Sequence, residues 1–403
     1  MSTTLERAKT DGANGTTPYS PPPPPPRRRR RASDNSGYWA AFSLLLGMLV
    51  VVLGFVAVWM GFSAHDARND AEKAATSAGS MPGMDMSNMS AGPTGGGELV
   101  SYAGQAPANA DVLAKKHVAM NAALPPAPAG AVAKVHLVLV DKTIEIAPGV
   151  KYRAWAFSGG APAPFIHVRQ GQRVDLTLTN KGVIPHSVDF HAARIAPNVA
   201  FKDVPPGGSI HYSFVASDPG AFMFHCGTKP VLAHIANGMY GAIIVEPRTA
   251  LPRADKNYVL VASEWYLSSR GFPQPASLDM AKAQRQEPDW VAWNGYAGQY
   301  VTHPLTAQPG QTVRFWVVDA GPSFDVDFHI VGTILDRAWI NADMTRFQRN
   351  IQTAPVPAGG GGVFDVKIDK PGLYPFVSHS FAAVDLGQVG LLNVGNVKGT
   401  MSH

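Results

Sequence analysis

The sequence predicts an all-β protein, two tandem β-sandwiches set behind one transmembrane helix and a disordered linker. Three observations predict it. Val174, Leu176 and Leu178 alternate with Asp175, Thr177 and Thr179, and Ile210, Tyr212 and Phe214 alternate with Ser209, His211 and Ser213. That period of two marks half-buried strands, and Gly171, Pro205-Pro206-Gly207-Gly208 and Asp218-Pro219-Gly220 supply the turns between them. The pattern then repeats: Val326-Asp327-Phe328-His329 echoes Val188-Asp189-Phe190-His191, and Lys370-Pro371-Gly372 echoes Asp218-Pro219-Gly220, as in an internal duplication. In the second copy Phe364, Val366 and Ile368 alternate with Asp365, Lys367 and Asp369. Finally, the run from Tyr38 to Phe62 carries no charge and is long enough to span a bilayer.

The chain has 403 residues, enough for two or three domains, and its 40 Gly and 34 Pro suit many short strands joined by turns. Residues 1–37 form a polar tail in which Pro21 to Pro26 favour extended polyproline and Arg27 to Arg31 follow. Those arginines supply much of the net charge of +5, which is therefore a local feature and not a nucleic-acid-binding surface. Residues 38–62 form the predicted membrane helix, with Tyr38 and Trp39 at one interface and Trp59 at the other. Arginines on its N-terminal side place the N-terminus in the cytoplasm and the rest of the chain outside. The apolar run is long for a signal peptide and no A-x-A site follows it directly, which favours an uncleaved anchor. Residues 63–127, rich in Ala, Gly, Ser and Pro, read as a flexible tether. The two sandwiches are expected over 128–250 and 251–400.

The chemistry lies in residues 186–239. Cys226 is the only cysteine, so no intramolecular disulfide forms, and a lone thiol in an exported domain needs an explanation. His186, Cys226, His234 and Met239 supply two imidazoles, a thiolate and a thioether, the donor set of an electron-transfer copper with a weak axial Met. His191 and His225 form a second set. His225 adjoins Cys226, and neighbours on an extended strand point to opposite faces, so His225 faces a different site. In the second copy Phe324 stands for His186, Ser380 for Cys226 and Gln388 for Met239, while His379-Ser380 stands where His225-Cys226 stood. His329, the counterpart of His191, is kept. We assign His191, His225 and His329 to one shared copper, three imidazoles with an open fourth position as a catalytic metal requires. The run Met81-Pro82-Gly83-Met84-Asp85-Met86-Ser87-Asn88-Met89 in the tether could recruit Cu(I), or be a linker that contains Met. His136 and His167 have no partner in a familiar spacing and read as structural, and His211 as solvated.

These residues resemble the copper-containing, nitric-oxide-forming nitrite reductases over about 130–397. The likeness rests on HSVDFH, the His-Cys pair with seven residues to the next His, HIANGM, and DFHIVG in the second copy. It implies two cupredoxin (Greek-key β-sandwich) domains, a type 1 and a type 2 copper in each chain, and a homotrimer. In that trimer His191 and His225 of one chain would meet His329 of its neighbour. It also implies proton-handling roles for Asp189 and His303, nitrite as substrate, and a cytochrome c or small cupredoxin as electron donor. The chemistry agrees, since reducing nitrite to nitric oxide and water takes one electron and two protons, which a carboxyl and an imidazole can deliver. A laccase-like multicopper oxidase would need His-x-His pairs, and this chain has none. A tethered copper carrier would need only one copper.

Overall fold

The computed structural model describes residues 107–268 and 274–399. The expected tail, the membrane helix over 38–62 and the tether up to residue 106, with its Met run, lie outside the described residues. Among those described, no helix is long and apolar enough to cross a membrane. The architecture is mostly β, with cupredoxin-like sheets and a few short helices.

The first eight strands are β1 (Val132–Ala147), β2 (Val150–Phe157), β3 (Ile166–Arg169), β4 (Arg173–Asn180), β5 (Asp189–Phe190), β6 (Ser209–Val215), β7 (Gly220–His225) and β8 (Tyr240–Glu246). They form two four-stranded sheets, ordered β2-β1-β4-β6 and β3-β8-β7-β5. Leu137, Leu139, Phe157, Leu176, Phe190 and Phe224 fill a shared core. Alternation in β4 produces this packing: Val174, Leu176 and Leu178 are fully buried, while Asp175, Thr177 and Thr179 stay half-buried on the other face.

Ten strands follow: β9 (Lys256–Trp265), β10 (Trp290–Trp293), β11 (Leu305–Ala307), β12 (Thr312–Asp319), β13 (Val326–Ile330), β14 (Arg337–Ile340), β15 (Ala354–Val356), β16 (Gly361–Lys367), β17 (Gly372–Ser378) and β18 (Val389–Val394). Their sheets are ordered β10-β9-β12-β16-β14 and β11-β18-β17-β13-β15. The pairing scheme repeats: β1 lies antiparallel to β2 and parallel to β4, and β9 lies antiparallel to β10 and parallel to β12. The duplication read from sequence is therefore one of topology.

Two expectations change. The alternation of Phe364, Val366 and Ile368 with Asp365, Lys367 and Asp369 reads as a half-buried strand, but Asp365 is fully buried. Its face is covered because Ala221, Met223, Tyr240 and Ile244 of the first sandwich pack with Val259, Trp316, Trp339 and Val363 of the second. A charge in that position must be paired. Asp365 takes two bonds from Arg314, at 2.7 and 2.8 Å, and one from Arg337 at 3.2 Å. The tether, expected to run to residue 127, gives way by residue 107 to an ordered strap. Its helix Ala110–Lys116 buries Ala110 and Ala114. Beyond the helix, the Leu124 N–H donates to the Asn257 carbonyl at 3.0 Å, the Met120 N–H to Gln299 Oε1 at 2.8 Å, and His167 Nδ1 to the Pro125 carbonyl at 2.6 Å. The strap thus holds both sandwiches.

Candidate metal centres

Strand β7 ends at His225, and Cys226 follows. The chain then turns into the helix Val231–Ala236, which carries His234 inward. Gly238, at φ +104°, closes the loop where a Cβ would lie 2.8 Å from that of Ala161. The Met239 N–H donates to the His234 carbonyl, and the Cys226 N–H to the Met239 carbonyl, each at 3.1 Å. His186 comes from the segment before β5 and bridges to Val204.

His186 Nδ1 and His234 Nδ1 stand 3.1 Å apart, and Cys226 Sγ lies 3.3 Å from His234 Nδ1 and 3.9 Å from His186 Nδ1. A point equidistant from three atoms so separated lies roughly 2 Å from each, an ordinary bond length from a transition metal to nitrogen. All three side chains are buried, as is Met239. Burial, and next the adjacent His234, hold the His186 imidazole down at about 4, so it stays in the neutral form that ligates. The Ser187 N–H points at Cys226 Sγ from 3.4 Å. Trp155 packs against both imidazoles, with ring centroids 5.5 and 4.8 Å away. The donor set and its geometry fit copper.

On the opposite side of β7, His225 Nε2 faces His191 Nε2 at 3.1 Å. Each ring's other nitrogen sits on a carbonyl: His191 Nδ1 on Gly359 at 2.8 Å, His225 Nδ1 on Cys226 at 2.9 Å. A carbonyl only accepts, so both Nδ1 atoms carry the proton. In their neutral form such rings aim bare Nε2 lone pairs at each other, an arrangement that asks for a cation between them. Asp189, paired with His225 across β5 and β7, places Oδ2 3.9 Å from His225 Nε2. Burial, then the His191 ring, disfavour a protonated His225.

Within one chain the structure does not bring His329 or His303 to this cluster. His329 Nδ1 bonds the Gln352 carbonyl, and its ring meets that of His379, centroids 5.2 Å apart. Sequence reasoning treated His329 as the single imidazole that the second copy retained. The signal for a second is in the sequence, since His379-Ser380 stands where His225-Cys226 does in the first copy. His379 is exposed, edge-on to His329 and Phe381. His303 lies elsewhere. Its Nε2 donates to the Ala114 carbonyl at 3.2 Å, under the strap, a placement that gives no support to a proton role beside Asp189.

A multicopper oxidase family model matches residues 139–250. The copper-containing nitrite reductase of Neisseria gonorrhoeae is 38% identical over 267 residues, 65% of this chain and 68% of that protein. The chain belongs to the copper-containing nitrite reductase family. The structure of the Nitrosomonas europaea copper nitrite reductase agrees: TM-score 0.62 at 33% identity, covering 66% of this chain and 94% of that one. The Thermus scotoductus copper-containing nitrite reductase has a TM-score of 0.60 at 27% identity, covering 65% and 62%. As a member of the nitrite reductase family the chain is a copper protein, and its two donor clusters fit a type 1 and a type 2 centre.

Proposed function

We propose that the protein reduces nitrite to nitric oxide: nitrite, one electron and two protons yield nitric oxide and water. The observation that carries this reading is the pair of bare Nε2 atoms 3.1 Å apart, joined to the buried thiolate cluster through the single peptide bond between His225 and Cys226. Copper in the two places would supply one-electron chemistry and Lewis acidity toward nitrite. His186, Cys226, His234 and Met239 would hold the first ion, and their burial would keep water from it. His191 and His225 hold the second. The third imidazole comes from the His329–His379 pair of a neighbouring subunit in a homotrimer, where one ring completes the donor set and the other hands on a proton. Asp189, 3.9 Å from His225 Nε2, is the group that passes on the second proton.

An external donor, a cytochrome c or a small cupredoxin, delivers the electron at the first cluster. The uncharged apolar run over 38–62 serves as a membrane anchor that keeps the two sandwiches at the outer face of the cell membrane. The test is copper-loaded protein given a viologen donor and nitrite without oxygen, with nitric oxide followed at an electrode. His329→Ala and His379→Ala are each expected to be inactive, one lacking the second copper and the other retaining both coppers. A loaded, coloured wild type that makes no nitric oxide would leave the carrier reading in its place.

A further inference from the structure

The second sandwich contains the counterpart of the first copper cage, and its chemistry has changed. The Gln388 N–H donates to the Ala383 carbonyl at 2.9 Å as the Met239 N–H does to His234, so Ala383 stands for His234. Phe324, Ser380, Ala383 and Gln388 line one small cavity, together with the buried carboxylates Glu264 and Asp319 and the more exposed Asp325. Its size is on the order of one water molecule. Every nitrogen and sulfur donor of the first cage has gone: Phe324 and Ala383 bring no donor, Ser380 and Gln388 bring oxygens, and Glu264 and Asp319 add carboxylates from neighbouring strands.

The two carboxylates are 2% and 1% exposed, and neither makes an ion pair among the described residues. Glu264 accepts from the Phe324 N–H at 2.6 Å, the Ser323 N–H at 3.2 Å and the Tyr266 hydroxyl. Asp319 occupies the place that Asn180 holds in the first sandwich. Each Oδ1 accepts from the N–H two residues on, Gly321 or Gly182, at 2.8 Å. The other half differs. Asn180 Nδ2 donates to the Ile184 and Val204 carbonyls, both at 2.8 Å, whereas Asp319 Oδ2 is buried without a well-formed hydrogen bond, and besides Gly321 only the backbone N–H of Val326 favours the charge of this carboxylate. Burial pushes both carboxyls up from the usual carboxylate range, Asp319 well up, with Glu264 beside it adding to the effect. A buried, unpaired negative charge needs a positive partner.

We propose that this cavity binds one small hard cation, with Asp319 Oδ2 and the Glu264 carboxylate as charged ligands and Ser380 Oγ and Gln388 Oε1 as neutral ones. An all-oxygen set selects such an ion over copper. The site is separate from both copper clusters and does not depend on the reaction proposed above.

The test uses full-length, copper-loaded protein in a choline buffer at pH 8, with unfolding followed as Na+, Mg2+ or Ca2+ is added. The expected result is a saturable rise of about 5 °C in the midpoint with at least one of them. The rise should be absent in Asp319→Asn and Glu264→Gln, with colour and nitrite reduction kept in both. Asn180 shows that asparagine is accommodated in this setting, so Asp319→Asn should fold. No rise with any of the three ions, or an equal rise in the variants, overturns the proposal. So does a cation-free Asp319→Asn that is simply more stable at pH 8 while the wild type responds only to pH, since a proton would then be the sole partner.

Discussion

Replacing Asp189 by asparagine keeps the side chain's shape and removes its acid. Asp189 sits in the two-residue strand β5, where backbone pairing with His225 fixes it, so the substitution should leave the fold unchanged. Its Oδ2 stands 3.9 Å from His225 Nε2, within one atom's reach of a ligand bound between His225 and His191. A positioned acid contributes about 10²–10⁴-fold to rate. The Asp189 side chain is 28% exposed, so water can partly take over delivery and the effect belongs at the lower end. We expect Asp189→Asn to lower kcat about 100-fold, roughly 2.7 kcal/mol in the barrier. Copper content should stay at two per chain and the thiolate–copper colour should not change. Steady-state nitric oxide production with a viologen donor reads the first quantity, and metal analysis with visible absorption reads the others. A kcat within about threefold of wild type would refute the proton role. Loss of the second copper would show instead that Asp189 organises the metal ligands.

Further outcomes follow from packing and charge. Arg314→Met leaves the fully buried Asp365 with only Arg337 and should cost about 3 kcal/mol in denaturant unfolding, with the colour of the folded protein unchanged. Gly295→Ala should destabilise by at least ~2 kcal/mol, because at φ +82° its Cβ would fall 1.8 Å from the Ala161 carbonyl oxygen. An unchanged unfolding midpoint would contradict that geometry. Acid should loosen the strap. Burial first of all lowers His117 and His167 below their ordinary 6.5. Their contribution is therefore complete above that value and is lost as pH falls toward and through the lowered folded values. Amide exchange over 107–128 should rise between pH 7.5 and 5, faster than exchange in β9 or β12.

What could be read from the sequence was whatever a short-range pattern records. The alternation in β4 marks one covered face and one open one, and both sandwiches announce themselves that way. Asp365 escaped because β16 is covered on both faces, and its second cover comes from residues more than a hundred positions away. His186, Cys226 and His234 stood out through residue types rarely placed together, and the structure brings their donor atoms together. His379 is as legible as His329, but Ser380 beside it marks what the second copy has lost and so masks what it keeps. The likeness around His303 was short and local, and could not reveal the strap helix lying over it. That strap has no periodicity because backbone hydrogen bonds hold it, and these leave little trace in side-chain order.

The alternation at the end of β7 has a consequence for assembly. His225 and Cys226 are consecutive, and β7 is held by β5 on one side and β8 on the other. A slip of one residue would turn the sulfur toward the imidazole pair and the imidazole toward the sulfur's cage. No intermediate register serves either centre, so the two stand or fall together. An insertion or deletion anywhere in β7 is thus a mutation of both sites at once, and a chain that has built one correctly has, by the same hydrogen bonds, proofread the other.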